Sequence, residues 1–482
     1  MLRRTKIVAT LGPACDDPAV LENMIVAGVD VVRLNFSHGQ AEDHIERARL
    51  VRELAHKHKR TVAILGDLQG PKIRIARFKE KSISLAVGDS FTLDANLDTN
   101  AGDQNQVGID YKELPGDCRV GDKLLLDDGR VIFDVVGIEG SRIDCVVTVG
   151  GCLSNNKGIN RQGGGLSAPA LTDKDLRDIK LAAEISVDFL AVSFPRSAED
   201  INTARALINK EGSIAAIVAK IERAETVNDL DILDEIIEAS DGIMVARGDL
   251  GVEIGDAELI GVQKQIIERT KARRKVVITA TQMMESMINS PLPTRAEVFD
   301  VANAVLDGTD AVMLSGETAA GQFPVETIEA MCRVILGAER HYGTQTKDRL
   351  PREEIVEIDE SIAHAVMYAA NHLKGVKAII CMTETGATPR LMSRISSNLP
   401  IFAFTRRLDT QARVVLCRGV HPVEFEIAEL PPEKINQSAV NQLVLKGVVN
   451  KGDLVLVSKG DYVNVHGGTN TLKIMRVGDD IL

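Results

Sequence analysis

The sequence has no uninterrupted apolar run that approaches the ~20 residues needed to cross a bilayer. Its basic start, residues 1–6, is followed by no apolar signal-peptide core. Positive charge is also scarce, because 57 Lys and Arg residues face 69 Asp and Glu residues, for a formal net charge of −12. This balance disfavours attraction to nucleic acid or to anionic lipid, but it allows a local basic pocket for a phosphorylated metabolite.

The cysteines show no spacing pattern of the kind that indicates a set of disulfides. The seven cysteines are scattered and form no C-x-x-C pair. An odd, scattered set is typical of reduced thiols in a reducing compartment, whereas small secreted proteins use paired cysteines as disulfides. We therefore expect a cytoplasmic protein that neither spans nor binds a membrane.

Several common ligand-binding motifs are missing as well. The chain has no G-x-x-x-x-G-K-[ST] phosphate loop and no H-E-x-x-H zinc helix, and its nine histidines form no ligand cluster. Residues 163–168 fit G-x-G-x-x-A, but they lie outside the βαβ setting that this dinucleotide motif requires. We interpret this glycine-rich segment as a hinge.

What the sequence does contain is a regular alternation of short β-branched runs with amphipathic segments of helical length. Eight candidate strands in this alternation are apolar on both faces: 6–10, 29–34, 61–65, 188–193, 215–220, 242–247, 275–280 and 311–315. Eight βα units close most simply into an α/β fold of the (β/α)8 TIM barrel type, whose reactive groups lie at the C-terminal ends of the strands.

One connection departs from this alternation. More than a hundred residues separate the third and fourth candidate strands, too many for a simple loop. Residues 70–167 lack helical periodicity and predict an inserted small β-barrel lid domain between barrel parts 1–69 and 168–340. A polar linker, 341–354, leads to a C-terminal α/β open-sheet regulatory domain, 355–482. Within that domain we predict a helix near 359–373 and strands at 378–381, 400–405 and 453–458.

A lysine and two acidic residues follow neighbouring candidate strands. Alternation puts Lys220 and Glu222 on the same side of an extended backbone, and Asp249 follows the next strand, after Gly248. Mg²⁺ prefers a few carboxylate oxygens, so Glu222 and Asp249 suit a metal site at which Lys220 neutralises phosphoryl charge. Gly248 lets backbone amides approach a substrate carboxylate. Taken singly, these motifs are more often a surface ion pair and a capped turn.

The other candidate strands also end in polar residues. These ends carry Arg33, Asn35, Ser37 and His38; Asp67; Ser193, Phe194 and Arg196; Thr281 and Gln282; and Ser315, Glu317 and Thr318. Any one serine or threonine in such a place is more often a helix cap. Stability alone gives no reason for a whole ring of oxygen and cationic groups at one barrel mouth, so the ring indicates a ligand site.

Taken in order, these motifs resemble those of the pyruvate kinase family over essentially the whole chain. The matching stretches are TKIVATLGPA at 5–14, RLNFSHG at 33–39, GDLQGPKIR at 66–74, NNKGIN at 155–160, VSFPR at 192–196, AKIE at 219–222, MVARGDLG at 244–251, ITATQMMESM at 278–287, PTRAEVFDVANAVLDGTDAVMLSGET at 293–318 and TETGAT at 383–388. The resemblance implies phosphoryl transfer from phosphoenolpyruvate to ADP, giving pyruvate and ATP in the final step of glycolysis. It also implies Mg²⁺ or Mn²⁺ as cofactor and a homotetramer.

The resemblance also suggests roles for individual residues. Lys220 resembles the transition-state lysine, Glu222 and Asp249 look like the metal ligands, and Ser315 matches a residue that relays a proton to the enolate. The implied substrate contacts are Arg33, Ser193, Phe194, Lys220, Gly248, Asp249 and Thr281. The implied nucleotide contacts are Pro13, Asn35, His38, Arg74 and Lys157.

The chain departs from the family pattern at a monovalent-cation site. Many members that K⁺ activates carry Glu where this chain has Lys72, and Thr and Lys at the positions of Leu68 and Gln69. The K⁺ ligands that the resemblance implies are Asn35, Ser37, Asp67 and the carbonyl of Leu68. Because Lys72 supplies a fixed ammonium nearby, we predict little or no requirement for K⁺.

A loop in the last domain suggests an effector site. It follows an apolar strand and leads into a predicted helix, so that hydroxyls and backbone amides there suit a phosphate. The residues assigned to it from this loop and the helix after it are Thr383, Glu384, Thr385, Gly386, Thr388 and Arg390. A second loop, at 466–470, adds Gly468 and Thr469, with His466 and Gly467 beside them. Without the resemblance this is simply a capped turn. Ala387 stands where relatives often carry a basic residue, which favours a sugar or nucleotide monophosphate as activator.

Two other interpretations remain open from sequence. The first is another enzyme of phosphoenolpyruvate or pyruvate on the same barrel, such as a metal-dependent aldolase that uses Glu222 and Asp249. Such an enzyme would not need Lys220, Arg74 and Lys157 together. The second is a catalytically silent protein that binds metabolites, although none of the expected catalytic residues is missing.

Overall fold

A computed structural model describes residues 2–341, 355–426, 431–460 and 468–478. The first part of the barrel alternates strands and helices: β1 (Lys6–Leu11), a 3-10 turn (Pro13–Cys15), α1 (Pro18–Ala27), β2 (Val31–Asn35), α2 (Ala41–Lys57) and β3 (Ala63–Asp67). Helix α1 begins where the Asp17 carboxylate accepts from the Ala19 N–H and Pro18 fills the first turn. It ends at Gly28, whose φ of 133° suits a residue without a Cβ.

The insertion that follows is a β domain, as predicted. Its elements are β4 (Ser82–Leu85), β5 (Ser90–Asp94), β6 (Gln106–Gly108), α3 (Leu114–Asp117), β7 (Lys123–Leu126), β8 (Val131–Glu139), β9 (Arg142–Val149), β10 (Gly151–Ser154) and β11 (Ile159–Arg161). The strands form a six-stranded sheet, β11-β7-β8-β9-β5-β6, and a two-stranded sheet, β10-β4. Alternate residues point inward, and Phe91, Phe133 and Ile143 belong to a separate core.

The chain then completes the barrel. The remaining elements are α4 (Asp173–Glu184), β12 (Phe189–Val192), α5 (Ala198–Lys210), β13 (Ala216–Ile221), α6 (Ala224–Asn228), α7 (Leu230–Ala239), β14 (Gly242–Ala246), α8 (Arg247–Ile254), α9 (Asp256–Ala272), β15 (Val276–Ala280), a 3-10 turn (Glu285–Ile288), α10 (Arg295–Asp307), β16 (Ala311–Leu314), α11 (Gly316–Ala319) and α12 (Pro324–His341). Eight parallel strands close in the order β1-β16-β15-β14-β13-β12-β3-β2. Each lies within two residues of its predicted bounds.

Strand alternation explains why the barrel strands are apolar on both faces. Along β1, Ile7 packs in the layer between strands and outer helices, whereas Val8 belongs to the barrel interior. The interior layer continues into buried residues of the C-terminal domain such as Met367 and Leu416. The C-terminal domain therefore covers one end of the barrel, and the other end is free to hold a site.

The C-terminal domain is an open five-stranded sheet with helices. Its elements are α13 (Ile358–His372), β17 (Val376–Met382), α14 (Ala387–Arg394), β18 (Ile401–Thr405), α15 (Leu408–Val414), β19 (Val420–Glu424), α16 (Pro432–Leu445), β20 (Leu454–Gly460) and β21 (Thr469–Arg476). The order is β19-β18-β17-β20-β21, with only β21 antiparallel to its neighbour. The sequence analysis did not predict the two edge strands β19 and β21.

The predicted fold class is thus confirmed in its barrel, its inserted β domain and its C-terminal α/β domain. The domain boundaries stay predictions, and the predicted linker at 341–354 lies outside the described residues except for His341. Among the described residues, no helix combines the length and the apolar character that crossing a membrane requires.

Candidate active site

Lys220, near the end of β13, lies at the centre of the barrel mouth. Its Nζ donates to Ser193 Oγ at 2.7 Å and lies 3.0 Å from Glu222 Oε1 and 3.4 Å from Asp67 Oδ1. Burial by itself lowers the pKa of Lys220, but the carboxylates of Asp67 and Glu222 outweigh burial and raise it above its ordinary value. Lys220 is therefore a fixed cation rather than a general base.

Asp67, the last residue of β3, anchors a second cation. Its Oδ2 accepts from Arg33 Nε at 2.5 Å, and Arg33 also donates to Thr10 Oγ1 at 3.1 Å. Burial opposes ionisation of Asp67, yet the charges of Arg33 and Lys220 hold its pKa below the ordinary range. One buried carboxylate thus orients two cations toward the same space.

Glu222 and Asp249 supply the carboxylates of the mouth. Glu222 is 1% exposed, and its Oε2 accepts from the Phe194 N–H at 2.8 Å. Asp249 follows the neighbouring strand, because β13 and β14 pair with Lys220 opposite Met244. Burial raises the pKa of Glu222; Lys220 opposes this rise and the negative charge of Asp249 adds to it.

These two carboxylates fit a hard divalent cation. A cation close to both would offset the burial and the charge of Asp249, which together raise the pKa of Glu222. Within the described part of the chain, no group of three or more His, Cys, Asp or Glu side chains is arranged to hold a metal. A two-carboxylate site agrees with Mg²⁺, which keeps several waters and substrate oxygens as ligands.

The loops after β14 and β15 meet beside these carboxylates. The Gly248 N–H donates to Thr281 Oγ1 at 2.8 Å, and Arg247 donates to the Thr281 carbonyl at 2.6 Å. A Cβ on Gly248 would meet nothing closer than 3.7 Å, so packing inside the protein does not require glycine here. Thr281 and Gln282 have φ of 70° and 55°, and Phe194 has 54°. Such strained backbone in non-glycine residues concentrates at functional sites.

Lys72 lies beside one of these carboxylates, with Nζ 3.3 Å from Asp249 Oδ1. Several oxygens of the predicted K⁺ site already accept hydrogen bonds. Asn35 Oδ1 accepts from the Ser37 N–H at 3.1 Å, and the Leu68 carbonyl accepts from Ser193 Oγ at 2.7 Å. Asp67 Oδ2 is bound to Arg33, whereas Asp67 Oδ1 accepts no hydrogen bond among the described residues and lies 3.4 Å from Lys220 Nζ.

The predicted nucleotide contacts fall into two groups. Arg74 and Lys157 lie next to each other in the lid, where Arg74 pairs with Gly158 across an antiparallel bridge. Arg74 donates to the Asn156 carbonyl at 3.2 Å, and Lys157 Nζ lies 2.7 Å from Asp127 Oδ1. The other group belongs to the barrel, where Pro13 and His38 are exposed and Asn35 is half-buried.

The barrel mouth is electropositive near His38. Burial lowers the pKa of His38, and the nearby charges of Arg74, Arg33, Lys72 and Lys174 lower it further. A neutral histidine among several cations marks a region that favours phosphate groups.

Ser315 begins the last loop of the mouth. Its backbone N–H donates to Glu317 Oε2 at 2.7 Å, and Glu317 Oε1 accepts from the Met284 N–H at 3.1 Å. Buried Glu317 thereby ties together the loops after β15 and β16. This contact fixes the backbone of Ser315 relative to the Thr281 loop.

Two residues at the lid hinge were missed by the sequence analysis. Buried Arg223 donates to the Phe194 carbonyl and to the Leu166 carbonyl, each at 3.0 Å, so it joins the hinge to the mouth. The Glu253 carboxylate accepts from the Ala224 N–H at 2.8 Å, and burial raises its pKa to about 7. The one signal in the sequence that could have pointed to Arg223 is its position directly after Glu222. No sequence pattern, however, distinguishes a buried arginine from an exposed one.

The hinge that the two residues flank is glycine-rich. Gly163, Gly164 and Gly165 have φ of 82°, 76° and 87°, a left-handed run that side chains with a Cβ rarely adopt. The Gly163 N–H donates to the Glu253 carbonyl at 3.0 Å. This geometry agrees with the interpretation of residues 163–168 as a hinge.

The predicted effector residues also lie together. Thr388 and Thr469 share a hydrogen bond of 2.8 Å between their hydroxyls, and Arg390 Nε is buried without a hydrogen-bond partner among the described residues. Thr383 Oγ1 accepts from the Gly386 N–H at 2.9 Å, which caps the turn locally. Glu384 lies 3.7 Å from Arg406, so its charge is partly offset. His466 and Gly467 lie outside the described residues.

The barrel mouth brings together buried cations and carboxylates, next to the inserted β domain. Such an arrangement is typical of a phosphotransferase. The family model for the pyruvate kinase barrel domain matches residues 2–328, and the model for the pyruvate kinase alpha/beta domain matches residues 360–475. Pyruvate kinase II of Salmonella typhimurium is 59% identical over 476 residues, which cover 99% of each chain. A pyruvate kinase of Haemophilus influenzae is 59% identical over 459 residues, covering 95% of this chain and 96% of its own.

The fold agrees with these relatives. The crystal structure of a pyruvate kinase from Cryptosporidium parvum superposes with a TM-score of 0.91 at 34% identity, covering 98% of this chain and 96% of that one. The chain belongs to the pyruvate kinase family. It is therefore a phosphotransferase. Membership of this family disfavours both alternative interpretations of the sequence, the aldolase and the catalytically silent protein.

Proposed function

We propose that the protein transfers the phosphoryl group of phosphoenolpyruvate to ADP in the cytoplasm, giving pyruvate and ATP. The observation that carries the proposal is the buried Lys220 ammonium, held by Asp67, Glu222 and Ser193 at the barrel mouth. The names of the Salmonella typhimurium and Haemophilus influenzae relatives point to the same reaction.

The chemistry follows from the fixed charges. Phosphoryl transfer passes through a loose transition state with negative charge spread over the peripheral oxygens, so positioned cations do most of the catalysis. Arg33 and Lys220 are already oriented by Asp67 and need little reorganisation when that charge develops. A bound Mg²⁺ or Mn²⁺ adds further neutralisation of phosphoryl charge, and Glu222 and Asp249 are the residues that hold it.

The remaining mouth residues orient and protect the substrate. The Gly248 backbone and Thr281 hold the carboxylate of phosphoenolpyruvate, with Ser193 and Phe194 beside its phosphoryl group. Ser315 helps to deliver a proton to the enolate after transfer. Pro13, Asn35, His38, Arg74 and Lys157 contact the nucleotide, and closure of the lid about residues 163–168 excludes water.

An assay that couples pyruvate formation to lactate dehydrogenase tests this proposal. NADH oxidation should require phosphoenolpyruvate, ADP and a divalent cation together. An aldolase would release its carbonyl product without ADP, and a silent protein would give no turnover. Pyruvate release that is independent of ADP would contradict the proposed reaction.

We further propose that catalysis needs Mg²⁺ or Mn²⁺ but little or no K⁺. The Lys72 ammonium, 3.3 Å from Asp249, provides positive charge beside the metal ligands. In tetramethylammonium buffer, added K⁺ should change the rate of the unmodified enzyme less than about twofold. Lys72→Glu should create a K⁺ requirement, an imperfect one because Leu68 and Gln69 remain. A strong K⁺ activation of the unmodified enzyme would overturn this prediction.

We propose that a sugar or nucleotide monophosphate activates the enzyme at the loop 383–388. The hydroxyls of Thr388 and Thr469 meet there, and the buried Arg390 Nε lacks a hydrogen-bond partner among the described residues. The proposed pocket is completed by Thr383, Glu384, Thr385, Gly386 and Gly468. Ala387 adds no cation, which disfavours a doubly phosphorylated sugar.

Replacing Thr383, Thr385 and Thr388 together with valine should abolish activation and leave the maximal rate nearly unchanged, because the site only shifts an equilibrium between states. The measurement is the phosphoenolpyruvate saturation curve with and without glucose 6-phosphate, ribose 5-phosphate or AMP. Thr148→Val in the lid is the matched control and should respond as the parent does. A triple variant that still responds fully, or a parent that responds to none of the three, would refute the site.

We also propose a homotetramer. Lys264 of α9 and Asn303 of α10 are hydrogen-bonded, so Ile260 and Phe299, one turn earlier on each helix, lie on neighbouring surfaces. Both are largely exposed, at 62% and 75%, which suits burial against a second copy. Light scattering should give four times the 52.1 kDa of one chain, and Phe299→Asp should lower that mass. A monomeric parent would contradict this proposal.

A further inference from the structure

A partly open cavity lies between the barrel and the C-terminal domain, far from the proposed active site. It has a volume of about 210 Å³, and a wider groove of about 700 Å³ adjoins it. Arg4 and Asp310 line the cavity, and each directly precedes a barrel strand or lies next to its start. The cavity therefore lies at the N-terminal ends of the strands, whereas the catalytic residues lie at the C-terminal ends.

The charged side chains that line this cavity leave a surplus of positive charge. Four are cations and three are carboxylates: Arg4, Lys271, Arg394 and Arg418 against Asp307, Asp310 and Glu339. Asp307 is further paired with Lys264, which lies outside the cavity lining. The lining thus carries one formal positive charge more than its carboxylates neutralise, and the pair with Lys264 increases the surplus.

Each of the three carboxylates is already satisfied by other groups. Asp310 accepts from both terminal nitrogens of Arg394 and from the backbone N–H groups of Val277 and Arg418. Asp307 accepts from Lys264 and, at 3.2 Å, from the side-chain amide of Gln263. These two carboxylates have little remaining capacity for another cation.

Glu339, the third carboxylate, is buried and accepts from the backbone N–H groups of Arg4 and Thr5 at 3.0 and 2.8 Å. It also lies 3.7 Å from Arg4 Nε and 3.9 Å from Arg418 Nη2. Burial lowers the pKa of Arg418, and the charge of Arg4 lowers it further against the attraction of Glu339. Arg4 and Arg418 therefore share the single carboxylate of Glu339, while Nη1 of Arg418 donates to the neutral carbonyls of Val305 and Thr309 at 2.9 and 3.0 Å.

Lys271, in the last turn of α9, lines both the cavity and the groove. Its half-buried ammonium has no carboxylate within 4.0 Å and no hydrogen-bond acceptor among the residues that the structure describes. Burial lowers its pKa, and Arg394 and Arg418 contribute positive charge against Asp310 and Asp307. A half-buried cation that no carboxylate contacts directly is incompletely compensated, so this lysine favours an anion from solution.

We propose that this cavity binds a phosphate dianion with Lys271 as its principal partner. The volume is several times the ~30 Å³ that one water molecule occupies in the liquid, which leaves room for the ion and its hydrating waters. The three donors of the ammonium suit the several acceptor oxygens of a phosphate. The adjoining groove, with Leu391 and Ile395 in its wall, has space for the organic part of a phosphate ester.

The bound anion would connect the two domains. Lys271 belongs to the barrel, whereas Arg394 ends α14 of the C-terminal domain. A ligand that contacts both domains binds the docked arrangement better than any separated one and so stabilises it. This inference goes beyond the proposed reaction and does not depend on it, since the cavity lies at the opposite end of the barrel.

Lysine acylation in the intact protein tests the site without a mutation. Acetic anhydride labelling, read by mass spectrometry, should acylate Lys271 at least about tenfold more slowly in saturating inorganic phosphate than in chloride of equal ionic strength. The exposed Lys180 of α4 should show equal rates in both salts. Equal rates at Lys271 in the two salts would overturn the proposal.

Equilibrium binding to matched variants provides the second arm. Calorimetric titration with inorganic phosphate in metal-free buffer should show one fewer bound equivalent per chain for Lys271→Met, and an unchanged number for Lys180→Met. Retention of every equivalent by Lys271→Met would refute the site. Repeating the titration with glycerol 3-phosphate distinguishes a phosphate ester from inorganic phosphate as the ligand. If the ester binds more tightly and its binding depends on Lys271, its organic part occupies the groove. If only inorganic phosphate binds, the ligand is the inorganic ion.

Discussion

Lys220→Met should reduce ATP formation by at least ~10²–10³-fold, because removal of one preorganised charge-stabilising group typically costs that much and this cation is central. The fold should survive, since Arg33 continues to neutralise Asp67 after the lysine is gone. The measurement is the steady-state rate at saturating phosphoenolpyruvate, ADP and Mg²⁺, with circular dichroism and thermal unfolding to check folding.

Two comparisons make the Lys220 result specific. Lys180→Met removes the same charge from an exposed helix and should keep the parental rate. Metal-dependent proton exchange at the methyl group of pyruvate should decline less than ATP formation, because that reaction transfers no phosphoryl charge. A folded Lys220→Met enzyme with near-normal ATP formation would remove Lys220 from the centre of the mechanism.

Glu222→Gln and Asp249→Asn should each lower kcat/KM by about 10²-fold or more at fixed Mg²⁺, since each removes a carboxylate charge from the proposed metal site, where phosphoryl charge develops. Mn²⁺ affinity, measured by electron paramagnetic resonance, should fall in parallel for both variants. Glu199→Gln is the matched control, because this carboxylate is exposed in the first turn of α5, away from the barrel mouth and the hinge. Parental Mn²⁺ affinity in both variants would show that the metal binds elsewhere.

The barrel could be predicted from sequence because its strands are covered on both sides. Each strand, such as β13, is a short apolar run followed by a polar end. Both faces of the strand must be apolar, because one packs in the barrel interior and the other packs against the outer helices. The edge strands of the C-terminal domain give no such signal. Strand β19 contains His421 and Pro422, which are tolerated at an edge, and β21 is half-exposed and alternates with polar residues.

The same distinction applies to the site. Lys220 and Glu222 are two positions apart on one strand, so alternation alone predicts that they point to one side, and the structure has them 3.0 Å apart. The pair of Arg33 with Asp67 depends on strand register, since β2 and β3 align Arg33 with Leu65 and Asn35 with Asp67. Register is a tertiary property, and for that reason the anchoring role of Asp67 was not visible from the sequence.

The hinge contacts illustrate a further limit. Arg223 is buried because it satisfies two carbonyls from segments far apart in sequence, at Phe194 and Leu166. Sequence patterns treat an arginine beside a glutamate as a surface pair, since charged residues are rarely buried without partners. Only the folded chain reveals that these partners exist.

The most direct test of the central claim is ³¹P nuclear magnetic resonance of phosphoenolpyruvate mixed with ADP, Mg²⁺ and the protein. We expect the phosphoenolpyruvate signal to be replaced, one for one, by the γ-phosphate signal of ATP, and inorganic phosphate to stay at its background level. Loss of phosphoenolpyruvate to inorganic phosphate, or an unchanged spectrum with folded protein, would contradict phosphoryl transfer to ADP.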